Sequence, residues 1–317
     1  MTPATKSPDT RSRFSKFLQL VFLVGLGFGV GRLFIETPFW SHPIKPPTAQ
    51  PTPRNESPVK GAGHSAQRST LQTRKVITVQ PTPTSENPYA GAAQGTILEF
   101  KVIDGLAIAQ GDIILGRVGD DFKGEQGRTE VLPPLPWESR EIAYLIHPEL
   151  PNPKRVQQAL EVLQTQTRLR FVPHTQQQDA IVFEPGTEHC LSTLGRVGGL
   201  QPIRLSPGCQ SQEVLHEILH ALGLFHEQSR PDRDQWVEVV WNEIESKYHP
   251  QFAKMPEVYF TPFRDLPFDL QSVMFYSPNA FAIHPGAVTL RSRNDQPIAP
   301  ITEGLSAGDI QKLNRLY

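Results

Sequence analysis

The sequence predicts an α+β fold, and three observations predict it. Strand-like runs, "EIAYLIH", "RLRFV", "DAIVFE" and "QPIRL", are gathered between residues 141 and 205. Two segments of the same region place apolar residues at helical spacing. The chain then turns Pro-rich and irregular until a last helical segment, "LSAGDIQKLNRLY".

The elements follow in chain order. "TILEFKVIDGLAIAQGDIILG", from Thr96, holds strand-like runs separated by the turn signals Asp104-Gly105 and Gly111-Asp112. "RVGDDFKGEQGRTE", Arg117 to Glu130, is polar and Gly-rich, and is expected to be an exposed, easily cut loop. Asn152-Pro153 starts a helix, with Asn152 as N-cap and Val156, Ala159, Leu160 and Leu163 at helical spacing. Ser211 is expected to cap a second helix through "SQEVLHEILHALG", which Gly223 ends. Ser306 and Asp309 form a capping-box-like start to the last helix.

Composition bounds the partners. Among 317 residues, 31 Lys and Arg balance 32 Asp and Glu, so nothing in the charge argues for nucleic acid as a partner. Residues 1–16 form a basic leader with Lys6, Arg11, Arg13 and Lys16. Phe17 to Val30 carries no charge, and residues 17–35 fit a signal peptide or an uncleaved signal anchor. Either way this segment inserts in a membrane at least transiently, and the rest is exported, membrane-anchored or secreted. Ten of the 31 prolines fall between Thr37 and Ala90, so residues 36–95 are expected to be an extended linker. Two cysteines, Cys190 and Cys209, allow one bridge on the exported side, or remain two buried thiols.

The chemistry concentrates in "HEILHALGLFHEQSRPDRD", His216 to Asp234. On a helix, His216 and His220 project from one face. Gly223 lets the chain turn, so that His226 comes back onto the same ion. Three nitrogen ligands leave an open position, as in catalytic zinc. Glu217 is rotated away from the ligand face and is placed to act on water. The competing reading is a surface helix with chance histidines. The extended form HExxHxxGxxH, with its glycine where the turn needs one, weighs against chance. His147, His174, His189, His249 and His284 lack partners at ligand spacing and are expected to be structural.

The extended motif resembles the metzincin zinc peptidases, and the run from His216 to Asp234 is similar to the signature of the astacin family. "SVMFY", Ser272 to Tyr276, resembles the family's methionine turn, with Phe275 in place of a histidine. The resemblance covers Trp137 to Tyr317. It implies a two-lobed metzincin domain over residues 131–317: a twisted sheet and the zinc helix in the N-terminal lobe, and a largely irregular C-terminal lobe ending in a helix.

It also implies one Zn2+ per catalytic domain and a peptide or protein substrate. Hydrolysis would use zinc-bound water with Glu217 as general base. Tyr276 would be a fifth zinc ligand at rest and an oxyanion donor in the reaction. Met274 would pack beneath the site, and Cys190 would pair with Cys209. The family's other bridge is missing, since Arg168 stands at one of its positions. "GRVGGLQPIRL" resembles the upper rim that takes substrate as an added strand, with Arg196, Val197, Gly198 and Gly199 on it.

Family prosegments carry a Phe-x-Gly-Asp motif. Ala109-Gln110-Gly111-Asp112 keeps the Gly-Asp and lacks the Phe, so Asp112 is either a latency ligand in a prosegment over residues 96–130 or a turn aspartate. A cut between Lys123 and Glu130 would free an N-terminus able to dock at Glu227. Two alternatives stand beside a general endopeptidase: a metzincin for cell-wall or cross-linked peptides, and a zinc-dependent binding protein without turnover.

Overall fold

A computed structural model describes residues 95–317 apart from 120, 121 and 123. The leader, the hydrophobic segment and all of the linker but Gly95 lie outside the described residues. Among those described, no helix is long and apolar enough to cross a membrane.

The first part of the described chain forms β1 (Thr96–Ile103), β2 (Leu106–Ala109), β3 (Ile113–Arg117) and β4 (Gln126–Val131). Then come β5 (Glu141–Ile146), α1 (Lys154–Gln166), β6 (Arg170–Pro173), β7 (Ala180–Pro185), β8 (Leu191–Thr193), β9 (Leu200–Leu205) and α2 (Ser211–Ala221). The remainder is mostly 3-10 turns, with β10 (Val237–Val239) paired to β11 (Leu290–Ser292), and ends in α3 (Ala307–Leu316). The expected α+β class and irregular C-terminal part are both present.

Strands β1 to β9 make one sheet in the order β4-β1-β2-β3-β8-β9-β7-β5-β6. The β1–β4 module is antiparallel throughout, and it joins the rest by a parallel pairing of β3 with β8. The expected exposed loop over residues 117–130 is therefore only half right. Its second half is β4, paired with β1 over six residues. As the sheet's edge, β4 buries no continuous apolar face, so "QGRTEV" carries no strand pattern.

Helices α1 and α2 pack together on the sheet. Val156, Leu160 and Leu163 meet Leu215, Ile218 and Leu219 in the main core. Each such side chain contributes about 1.5–3 kcal/mol by leaving water. Two caps differ from expectation. Asn152 takes a left-handed conformation (φ 49°), and Pro153 fills the N-cap position of α1 without a side-chain bond. Gln210, not Ser211, precedes α2, and its N–H donates to Glu213 Oε2 at 2.8 Å. The α3 start is as expected: Asp309 N–H donates to Ser306 Oγ at 3.0 Å, and Ser306 N–H to Asp309 Oδ2 at 3.2 Å.

Cys190 and Cys209 form a buried disulfide that ties the chain just before β8 to the approach to α2. A second apolar cluster, with Val237, Phe252, Phe268, Phe275 and Tyr276, builds the C-terminal part.

Candidate metal centre and active site

The last two turns of α2 carry His216, Glu217 and His220, all buried. Each helical histidine is fixed through Nδ1. His216 donates to the Val273 carbonyl at 2.9 Å and His220 to the Leu224 carbonyl at 2.8 Å. A carbonyl only accepts, so Nδ1 carries the hydrogen and Nε2 keeps its lone pair. Gly223 (φ 99°) turns the chain sharply after α2, which a side chain would resist. Its N–H donates to the His220 carbonyl at 2.8 Å, and three residues later His226 returns to the same point.

His220 Nε2 and His226 Nε2 lie 3.3 Å apart. Burial pushes His220 down to about 4, and burial lowers His226 as well, so both imidazoles are neutral near pH 7. Neutral nitrogens this close can share one cation through their lone pairs. Asp112 closes the group: its Oδ2 is 3.1 Å from His226 Nε2 and 3.4 Å from His216 Nε2, and its Oδ1 is 3.5 Å from His220 Nε2. Burial pushes the Asp112 carboxyl up, but the imidazoles of His226, His220 and His216 outweigh it and hold it well below the usual range. The four ligand atoms fall within 4.8 Å of one another, three nitrogens and one oxygen, which is a donor set suited to zinc.

Glu217 stands outside that donor set. Burial, then the charges of Asp112 and Glu213, pushes its carboxyl well above the usual range. Its Oε2 is buried without a hydrogen-bond partner among the described residues. Next to Val273, Met274 is fully buried, and its carbonyl accepts from Glu227 N–H at 2.8 Å. Phe275 points into the second apolar cluster, where it packs on Phe268, so the exchange for histidine leaves the metal group intact.

The family model for astacin, a family of peptidases, matches residues 132–317. The chain belongs to the astacin family. Its relatives include zinc metalloproteinase nas-13 of Caenorhabditis elegans, 34% identical over 58% of this chain and 41% of that protein. Meprin A subunit alpha of Rattus norvegicus is 32% identical over 71% of this chain and 29% of its own length. The chain thus spans less than half the length of these two relatives. Among solved structures, high choriolytic enzyme 1, a hatching enzyme zinc-protease from Oryzias latipes, is 33% identical, with a TM-score of 0.50 over 56% of this chain and 88% of that one. The cofactor is Zn2+, and the histidine group supplies its donors.

Astacin membership accounts for residues 132–317, and the whole β1–β4 module lies ahead of them. Between β2 and β3, Gln110 (φ 48°) and Gly111 (φ 92°) form the tip of a hairpin. That tip enters the centre and delivers Asp112. A Cβ on Gly111 would come within 3.6 Å of the Tyr276 hydroxyl and 3.5 Å of Phe281, besides opposing its backbone conformation. Tyr276 is buried and donates to the Gln110 carbonyl at 2.5 Å, so its hydroxyl is engaged by the hairpin. Burial, then the charges of Asp112 and Glu217, pushes that hydroxyl well above its usual range.

The expected rim divides. Residues 195–199 are a loop, in which Arg196 pairs with Asp179 and Glu138, each at 2.8 Å. Val197 is half exposed, Gly198 and Gly199 are left-handed, and Gly199 N–H donates to Asp179 Oδ1 at 2.7 Å. Residues 200–205 are β9, which lies between β7 and β8. The strand that meets β3 is β8, three residues that carry no distinguishing pattern in the sequence.

Glu227 is almost completely buried. Its Oε2 accepts from Lys312, and its Oε1 from Arg230 Nη1 at 3.3 Å and Asp269 N–H at 2.9 Å. The sequence singled out Glu227 as a dock for a freed N-terminus; its partners here are Lys312, Arg230 and Asp269 N–H, and neither Lys312 nor the carbonyl of Gln110 was expected to contribute. Nothing local marks either one, since both act across long sequence separations.

Proposed function

We propose that the chain is an exported zinc endopeptidase held latent by its own β1–β4 module. The observation that carries the peptidase reading is Glu217 Oε2, buried, unpaired among the described residues and one position along α2 from His216. A site built only to hold zinc would have no use for it.

Bound zinc, held by His216, His220 and His226, would polarise the scissile carbonyl and acidify water. Glu217 takes the proton of the attacking water at Oε2 and returns it to the leaving amine. Tyr276, once released from Gln110, donates its hydroxyl to the developing oxyanion. The carbonyls of Val273 and Leu224 keep His216 and His220 in the tautomer that presents Nε2. Once β3 leaves, β8 offers a backbone edge to a peptide, with Arg196 to Gly199 on the loop that follows it. Pairing through backbone groups accepts many sequences, so peptide or protein substrates fit the reading.

Latency rests on Asp112 at the donor group and on Gln110 at Tyr276. Because residues from Gln126 onward are paired in β4, the exposed part of the expected cut among the described residues is Gly124 and Glu125, just before it. Export agrees with the disulfide, which needs an oxidising compartment.

The test is zinc analysis with a peptide-library cleavage profile of residues 132–317, with and without residues 95–131. Cleavage should depend on zinc and fall when the module is present. Hydrolysis that survives both chelation and Glu217→Ala would sink the reading.

A further inference from the structure

Two side chains of α3 reach back to the metal centre by separate routes. Asp309 is fully buried and accepts from Ser272 Oγ at 2.6 Å and Val273 N–H at 3.0 Å. The Val273 carbonyl in turn receives His216 Nδ1 at 2.9 Å. One helical turn on, Lys312 is only 4% exposed and donates to Glu227 Oε2. Glu227 is bonded in the chain to His226, and its N–H holds the Met274 carbonyl at 2.8 Å.

A carboxylate as buried as Glu227 is costly unless positive charge faces it. Lys312 and Arg230 both do so, and Asp269 N–H completes the set. Both carboxylate oxygens are thus engaged by groups between Arg230 and Lys312, inside the family domain. We propose that Lys312 is a positioning residue for the metal centre. It supplies the ammonium that holds Glu227, and through Glu227 it fixes His226, so that no charge from a freed chain end is required. The proposal rests on the zinc-site reading and deepens it: the domain carries its own substitute for a docked N-terminus. A neutral side chain at position 312 would leave Glu227 facing Arg230 alone, and the segment carrying His226 would lose one of its two charged struts.

The test uses the full chain and reads zinc affinity by chelator competition, beside the melting temperature of the zinc-free protein. Lys312→Met should weaken zinc by about ten- to a hundred-fold, the usual effect of losing a group that orients a ligand. Lys312→Arg, which keeps the charge, should stay within about three-fold of the native chain on the same scale. Lys312→Met that lowers only the zinc-free melting temperature and leaves zinc affinity unchanged overturns the proposal. If that variant does not fold, Lys312→Met with Glu227→Gln decides. Removing both charges should restore folding and most of the zinc affinity, and a double variant that recovers neither overturns the coupling. Last, the chain is cut at engineered sites one residue apart between 118 and 125. Zinc affinity should not depend on which residue becomes the new N-terminus, and a dependence of about ten-fold or more overturns the idea that Lys312 suffices. Zinc affinity is measurable without turnover, so these outcomes stand even if no peptide is ever cleaved.

Discussion

The hydroxyl of Tyr276 donates a 2.5 Å hydrogen bond to the carbonyl of Gln110, two residues before Asp112. One hairpin tip therefore engages both a metal donor position and the tyrosine beside it. Asp112 completes the donor group with a carboxylate, and Gln110 takes the hydroxyl with a backbone group that no side-chain substitution can remove.

Asp112→Ala in the full chain should raise basal peptidase activity. A hydrogen bond involving a charged group is worth about 1.5–3 kcal/mol, so the closed form should weaken by roughly ten- to a hundred-fold. Initial rates on a quenched peptide, compared with the native chain at equal zinc, check this. No change would mean that Asp112 is a turn residue only.

Tyr276→Phe separates two roles of one hydroxyl. In the module-free enzyme, loss of an oxyanion donor should lower kcat by about 10²-fold or more with little change in KM. In the full chain the same substitution also removes the bond to Gln110, so the module should dissociate more readily. Steady-state kinetics on the first form and module-release rates on the second measure these effects separately. Equal kcat in the two module-free enzymes would remove Tyr276 from the reaction.

The metal ligands were legible because His216, His220 and His226 sit within eleven residues and their geometry is set by one helix and one turn. Cys190 and Cys209 were legible from the family resemblance, and the structure pairs them. What escaped was fixed by tertiary pairing. Strand β4 looks like a loop because an edge strand with one partner needs no continuous apolar face. Strand β8 is too short to show alternation. Lys312 sits on the polar-looking side of an amphipathic helix, and only the fold turns that side toward Glu227. Asn152 failed as a cap because the chain enters α1 in a left-handed turn, which removes its side chain from the first amides.

Replacing Cys190 and Cys209 with alanine should destabilise the domain without touching the chemistry. The bridge spans 19 positions, and closing a loop of that size is worth about 3 kcal/mol in the chain-entropy model. Urea unfolding of the double variant should show a lower midpoint. Its zinc content and its kcat at low temperature should match the native protein. A selective loss of kcat would place the disulfide loop in the reaction instead.

Glu217→Gln offers the sharpest test of the chemistry, because it keeps the shape of the side chain and removes only its capacity to take a proton. Glu217 is no member of the donor group, so the variant should bind zinc as the native chain does. Burial, then the charges of Asp112 and Glu213, disfavours the native carboxylate, and a neutral amide escapes that cost, so folding stability should not fall. Activity should drop by about 10²–10⁴-fold, the usual contribution of a positioned acid–base group. Chelation of the native enzyme should remove activity and lower its melting temperature together, because zinc binds the folded chain. The two losses are then distinguishable: the variant is inactive with metal bound, and the chelated enzyme is inactive without it. Metal analysis of the purified variant beside its kcat decides the matter. Full activity with the glutamine in place would assign proton transfer to another group in the site.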